Sequence, residues 1–186
     1  MLIFLGVLGV LVLLAVVIYN SLVRLRVQCD GAWADIDVQL KRRHDLIPNV
    51  VETVKGYAAH ERQTLDSVVN ARSRAMAAQG PAAKAEAEGM LTQALKSLFA
   101  LAEAYPQLRA VESFAQLQTT LSQIEEAVQN ARRYYNAVVR DLNTRIQQFP
   151  SNIVANLFGF RPREFFELTA PGEREVPRVS FEPGSR

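Results

Sequence analysis

The sequence predicts an all-α protein in which an N-terminal transmembrane helix continues into a long antiparallel bundle of three to four helices, with an extended C-terminal tail. Three observations carry this expectation. MLIFLGVLGVLVLLAVVIYNSLV runs from Met1 to Val23 without a charged side chain. Beyond it, apolar residues recur at steps of three and four, the spacing of helices with one buried face. No stretch alternates with period two and β-branched enrichment, so there is nothing from which to build a sheet. With 186 residues, 49% of them hydrophobic, the chain can bury one sizeable core but not two full domains. The expected organisation is a transmembrane anchor over 1–23, a helical body over 24–160, and an extended, partly disordered tail over 161–186.

At about 1.5 Å rise per residue the apolar run matches the ~30 Å of a bilayer core. A cleaved signal peptide is the rival reading. It lacks a Lys or Arg ahead of the apolar run and a small-x-small site after it, where the chain reads IYNSLV. Arg24 and Arg26 follow the run directly and are assigned to the membrane interface. With Lys41, Arg42 and Arg43 beyond them, the positive-inside rule predicts the N-terminus outside and the body in the cytoplasm.

The first helix of the body reads through Trp33, Ile36, Leu40, Ile47, Val50, Val54, Leu65 and Val68, either as one long helix or as two joined near Pro48. AAQGPAAK, with its Gly-Pro pair, ends it. A shorter helix follows through Leu91, Leu95, Leu98 and Ala102, and Pro106 marks the next turn. Ser113 with Gln116 has the spacing of a capping box. From Phe114 to Phe149 the seam Leu117, Leu121, Ile124, Val128, Tyr135, Val138, Leu142 and Ile146 predicts shallow-angle packing against other long helices. Pro150 stops it, and Ser151 is placed to cap a last short helix. Prolines at 162, 171, 177 and 183 keep the remainder extended, with Phe160, Phe165 and Phe166 expected to pin part of it to the bundle.

The residues offer little chemistry. A formal charge of +2, from 21 basic and 19 acidic residues, makes no field for nucleic acid. The lone Cys29 excludes an intramolecular disulfide and any CxxC motif, and reads as small packing surface. Neither His44 nor His60 sits in Glu-x-x-His, so a carboxylate-bridged dimetal site is refused, and His60-Glu61 lacks the second histidine of a zinc protease. There is no nucleophile elbow and no phosphate-binding glycine loop. No catalytic residue, metal, cofactor or small-molecule substrate is predicted. His44 and Asp45 are neighbours on a helix and point about 100° apart, so His44 reads as a partly buried helix residue. Pro48 cannot donate to the His44 carbonyl and predicts a kink in a continuous helix; the alternative is a fresh helix capped by Asp45. Lys41, Arg42 and Arg43 stand about 25 Å past Arg24, beyond the reach of lipid charge, and form a solvated basic face or a surface for an acidic partner. The pairs Glu125-Glu126 and Arg132-Arg133 read as solvated face.

The segments YNSLVRLR, AWADIDVQLKRRHDLIPNVVETVKGYAAHE, LFALAEAYPQLRAVESFAQLQTTL, ARRYYNAVVRDLN and FPSNIVANLFGF with FFE occur in this order. Together they resemble the LemA family of bacterial membrane proteins over nearly the whole chain beyond the anchor. The resemblance implies a single-pass protein of the bacterial inner membrane with a cytoplasmic helical bundle and no established enzymatic activity. It supplies no catalytic or cofactor residues. Family members implicated in organising magnetosome membranes imply a scaffold at the bilayer. His44 departs from the pattern, standing where a less ionisable polar residue is expected. The functional expectation is therefore a non-enzymatic, bilayer-bound scaffold that self-associates or holds other membrane proteins. A regulatory subunit of a membrane protease or signalling kinase, acting through Lys41 to Arg43 or the tail, is the alternative.

Overall fold

The computed structural model describes residues 1–167. The remainder of the predicted tail, including Pro171, Pro177 and Pro183, lies outside the described residues. Among those described, there are six helices and no strand: α1 (Leu2–Lys55), α2 (Arg62–Ala77), α3 (Pro81–Glu103), α4 (Pro106–Arg109), α5 (Glu112–Gln147) and α6 (Ser151–Leu157).

α1 is one helix of 54 residues, about 80 Å long. Its apolar side chains are exposed up to Val17 apart from the partly buried Ala15, and from Ile18 onward one stripe is buried: Ile18, Leu22, Cys29, Ala32, Ile36, Leu40, then Ile47, Val50 and Val54. Two of the predicted anchor residues, Ile18 and Leu22, are thus covered by protein.

The first body helix does not run to residue 77. It ends at Lys55, and after Gly56 to Glu61 the chain turns back as α2, so that Arg72 lies beside His44. Two causes act together. Gly56 is a weak helix former, and a straight continuation would leave Leu65, Val68, Ala71 and Ala75 with nothing to cover them. Folded back, those residues are buried against Leu91, Leu95, Leu98 and the Val50 to Val54 turn. The reversal is held by the Ala58 amide donating to the Val54 carbonyl at 2.8 Å. Pro48 lies inside α1, which continues through it, and Asp45 caps nothing.

Gly80, at φ 80, makes the next reversal, a left-handed conformation open to glycine. α3 then climbs beside α1, starting at Pro81 and running 23 residues, so that α2 with 16 is the shorter helix. α4 follows between α3 and α5 and buries Leu108. α5 descends antiparallel to α1 over 36 residues, pairing Glu125 with Arg43 and Tyr135 with Trp33. The capping box is absent: Val111 precedes α5, and Gln116 donates to Glu112 instead of the helix start. Ser151 is likewise the first residue of α6 and makes no cap bond.

The buried apolar residues form two clusters. One joins the lower part of α1 to α5, α6, Phe160 and Phe166. The other joins Ile47 to Val54 of α1 to α2, α3, α4 and the start of α5.

Candidate functional site

Between Leu40 and Ile47, where the two apolar clusters meet, the seam of α1 carries Arg43 and His44 instead of aliphatic residues. Both are buried, Arg43 to 4% exposure, and so is Glu88 of α3, also 4%. Glu88 uses both carboxylate oxygens: Arg43 Nη1 donates to Oε2 at 2.9 Å, and His44 Nε2 lies 2.7 Å from Oε1. The other guanidinium nitrogen of Arg43 donates to Thr92 Oγ1 at 2.8 Å and pairs with Glu125 of α5 at 2.9 Å. A cleft of about 300 Å³ between α3 and α5, lined by Arg43, Thr92, Phe99, Leu121 and Glu125, reaches this layer.

Pro48 contributes through what it lacks. Without an N–H it leaves the His44 carbonyl without its helical partner, and Arg72 Nε of α2 donates to that oxygen at 2.8 Å. Two adjacent residues of α1, Arg43 and His44, are therefore bonded to α2, α3 and α5 at once. A buried ion pair broken on one side costs about 3–5 kcal/mol, whereas an aliphatic seam tolerates sliding; such a layer fixes which turn of each helix faces which.

Arg43 is thereby a correction to the predicted basic face. Three consecutive helical residues span about 200° and cannot share one side, so Arg43 turns inward while Lys41 and Arg42 stay exposed. Lys41 pairs with Asp45 at 3.8 Å and Arg42 donates to Gln39. The partner surface expected from Lys41, Arg42 and Arg43 is reduced to two residues already engaged within their own helix. Glu125 is not free surface either, nor is Arg132, whose Nε donates to the Phe166 carbonyl.

Glu88, Arg72 and Thr92 escaped the sequence reading. A signal for Glu88 was present: it stands three residues before Leu91 on the Leu91, Leu95, Leu98 stripe, as Arg43 stands between Leu40 and Ile47 on the stripe of α1. Two opposite charges on apolar seams of different helices predict a buried pair.

A second constellation holds the described part of the tail. Asn143 and Asn136, two turns apart on α5, each present a side-chain amide to a backbone residue of the tail. Asn143 exchanges bonds with Arg163 at 2.9 and 2.8 Å, and Asn136 with Phe166 at 3.1 and 2.9 Å. Tyr135 donates to the Glu164 carbonyl, and Arg163 pairs with Asp30 of α1 at 2.6 Å. Phe160 and Phe166 are buried, and Phe165 packs against the same cluster, as expected. Cys29 is buried in this cluster too. Burial pushes its thiol up from the ordinary range, against the pull of the Arg163 guanidinium.

At the lower end, Arg24 and Arg26 are exposed, and the Arg26 guanidinium lies 5.4 Å from the centre of the Phe160 ring. Among the described residues, no group of three or more His, Cys, Asp or Glu is placed to hold a metal ion.

Residues 32–181 match the LemA family. The similar curated proteins include magnetosome proteins. Magnetosome protein MamQ 2 of Paramagnetospirillum magneticum is 24% identical over 184 residues, covering 85% of this chain and 68% of the relative. Magnetosome protein MamQ of Magnetospirillum gryphiswaldense is 23% identical with the same coverage. Protein LemA of Metamycoplasma hominis is 25% identical over 164 residues, covering 88% of this chain and 73% of the relative.

Proposed function

Because the chain belongs to the LemA family, we propose that it is a membrane-anchored, non-enzymatic helical scaffold, spanning the bacterial inner membrane once by the start of α1 with its N-terminus outside. The bundle then stands in the cytoplasm as a rod that assembles with copies of itself or with other membrane proteins. The observation that carries this reading is the continuity of α1. The same helix exposes an uncharged apolar surface through Val17 and, from Ile18 on, buries its stripe in the bundle. Anchor and rod are one rigid element, so the body has no hinge at the bilayer, which suits a spacer or scaffold better than a tethered catalyst. That two of its relatives are magnetosome proteins supports a role at membranes. The Arg24 and Arg26 pair supports the cytoplasmic placement of the body.

The test has two parts. Light scattering with size-exclusion chromatography on the detergent-solubilised full chain should give a mass above one protomer, or the protein should capture specific membrane proteins on crosslinking in cells. A strict monomer that captures nothing would sink the scaffold reading. Protease added to spheroplasts should spare the bundle, and added to inverted vesicles should cut it; the reverse pattern would overturn the orientation.

A further inference from the structure

α6 is placed differently from every other helix of the body. Its inner face, Val154 and Ala155, is buried against the lower cluster, and its outer face is largely apolar as well, with Asn156 the exposed polar residue: Ile153 is 60% exposed, Leu157 77%, and Phe158, just past its end, 56%. Phe149 before it is 76% exposed. In a water-soluble helix of this length the outer face would be polar, and such a cluster of large exposed apolar side chains marks a surface that meets something.

Its position says what it meets. The Phe158 ring lies 4.7 Å from that of Tyr19, and Phe160 lies 5.8 Å from it on another side. Tyr19 belongs to the uncharged part of α1, five residues before Arg24, or about 7.5 Å on the bilayer side of the first charge. The exposed face of α6 is therefore continuous with the exposed apolar surface of α1 that ends at Val17. Aromatic rings followed by arginines are the pattern of a membrane–water boundary, and here the arginines are Arg24, Arg26 and, directly after Phe160, the exposed Arg161.

We propose that α6 with Phe149 and Phe158 is a membrane foot, inserting into the interfacial zone of the same bilayer that α1 crosses. This rests on the membrane-anchored reading given above. The rod is then held at two places, by α1 through the bilayer and by α6 lying on it. A single-pass helix alone leaves rotation about its own axis and tilt free; a lateral apolar contact removes both. Because α6 follows α5 directly and α5 bonds the tail through Asn136 and Asn143, the foot also fixes which face of the bundle points along the membrane.

The experiment uses the full chain reconstituted in phosphatidylcholine and phosphatidylglycerol vesicles, carrying Cys29→Ala and one new cysteine labelled with an environment-sensitive fluorophore. Leu157→Cys is the test site, Leu11→Cys reports the anchor, and Gln123→Cys reports the far part of α5. Lipids bearing a spin label near the headgroup should quench the label at 157 several-fold more than at 123, and lipids labelled deep in the chain should quench the label at 11. Quenching at 11 without quenching at 157 would overturn the foot and leave the anchor standing. No quenching at 11 would remove the anchor reading itself. A blue-shifted label at 157 that lipid does not quench, with a shift that weakens on dilution into more lipid, would show a second copy of the chain covering this face and would overturn the proposal. Circular dichroism and retention of the size-exclusion profile confirm that each labelled chain is folded.

Discussion

Below Leu40 the long helix has α5 as its principal neighbour, with α6 and the tail closing the sides; above Ile47 it is one of five helices around a shared core. The lower part depends on side-chain amides gripping an irregular backbone, which no periodic seam can do. The upper part closes by helix packing alone, with small residues such as Ala71, Ala75, Ala87 and Ala94 letting α2 and α3 approach. The comparison teaches that an elongated body can change its mode of cohesion halfway along if a specific layer joins the two, and here that layer is Arg43, His44 and Glu88.

The largest effect should come from breaking the layer. Glu88→Ala leaves Arg43 and His44 buried without their shared carboxylate, a change that costs about 3–5 kcal/mol when a buried pair loses one side. The outcome lies toward the lower figure, since Glu125 still reaches Arg43. Urea unfolding of the detergent-solubilised protein measures it. Replacing Arg43, His44 and Glu88 together by leucine should recover most of the loss, because the desolvation of all three polar side chains disappears at the same time. If the triple variant were no more stable than Glu88→Ala, the layer would have to act through something other than mutual pairing.

Asn143→Ala tests the lower part alone. It removes two hydrogen bonds to Arg163, at about 0.5–1.5 kcal/mol each, and the loss should be local. Amide exchange at Arg163 and Phe166 should speed up while α2 and α3 keep their protection. Equal acceleration in α2 would mean that the two parts unfold as one unit and that their different chemistry has no thermodynamic consequence.

A smaller coupling, about 1 kcal/mol, is expected between Pro48 and Arg72. With Pro48 present, Arg72→Ala strands the His44 carbonyl. In a Pro48→Ala background, the new alanine amide can donate to that carbonyl, so the same Arg72→Ala change should cost less. A double-mutant cycle by urea unfolding reads this directly, and additive losses would show that Arg72 is not standing in for the missing helix bond.

Apolar spacing made the helices legible from sequence, and Pro48 could be seen to free a carbonyl. What spacing cannot show is where a helix turns back. Val54, Leu65 and Val68 keep one period across the Gly56 to Glu61 reversal, because both helices bury a stripe of the same kind, and only tertiary packing distinguishes one rod from a hairpin. The basic triplet misled for a related reason: a run of charges reads as a surface when taken as a string, yet each residue occupies its own direction around the helix. Asn136 and Asn143 were invisible because an amide on a helix flank looks like solvent-facing polarity until the chain it grips is folded beside it.

The smallest expected effect concerns pH, and it separates the two parts by titration. Burial pushes both the Cys29 thiol and the Tyr135 phenol up from their ordinary values, in each case against the pull of Arg163. A raised folded-state value for an acid that is neutral when protonated means that its stabilising contribution is complete below the unfolded value. It is then lost as pH rises through the folded one. The loss should therefore begin above the ordinary thiol value of about 8.5 and deepen past the phenol value of about 10. Both groups lie in the lower cluster, so alkaline solution should accelerate exchange at Arg163 and Phe166 before it touches α2 and α3. Cys29→Ala should flatten the first part of that decline, measured as the midpoint of thermal unfolding from pH 8 upward, compared with the unchanged chain. An identical slope in the variant would mean that ionisation of Cys29 is not coupled to the hold of α5 on the tail. Loss of protection in α2 and α3 first would place the alkaline weak point above the charged layer instead of below it.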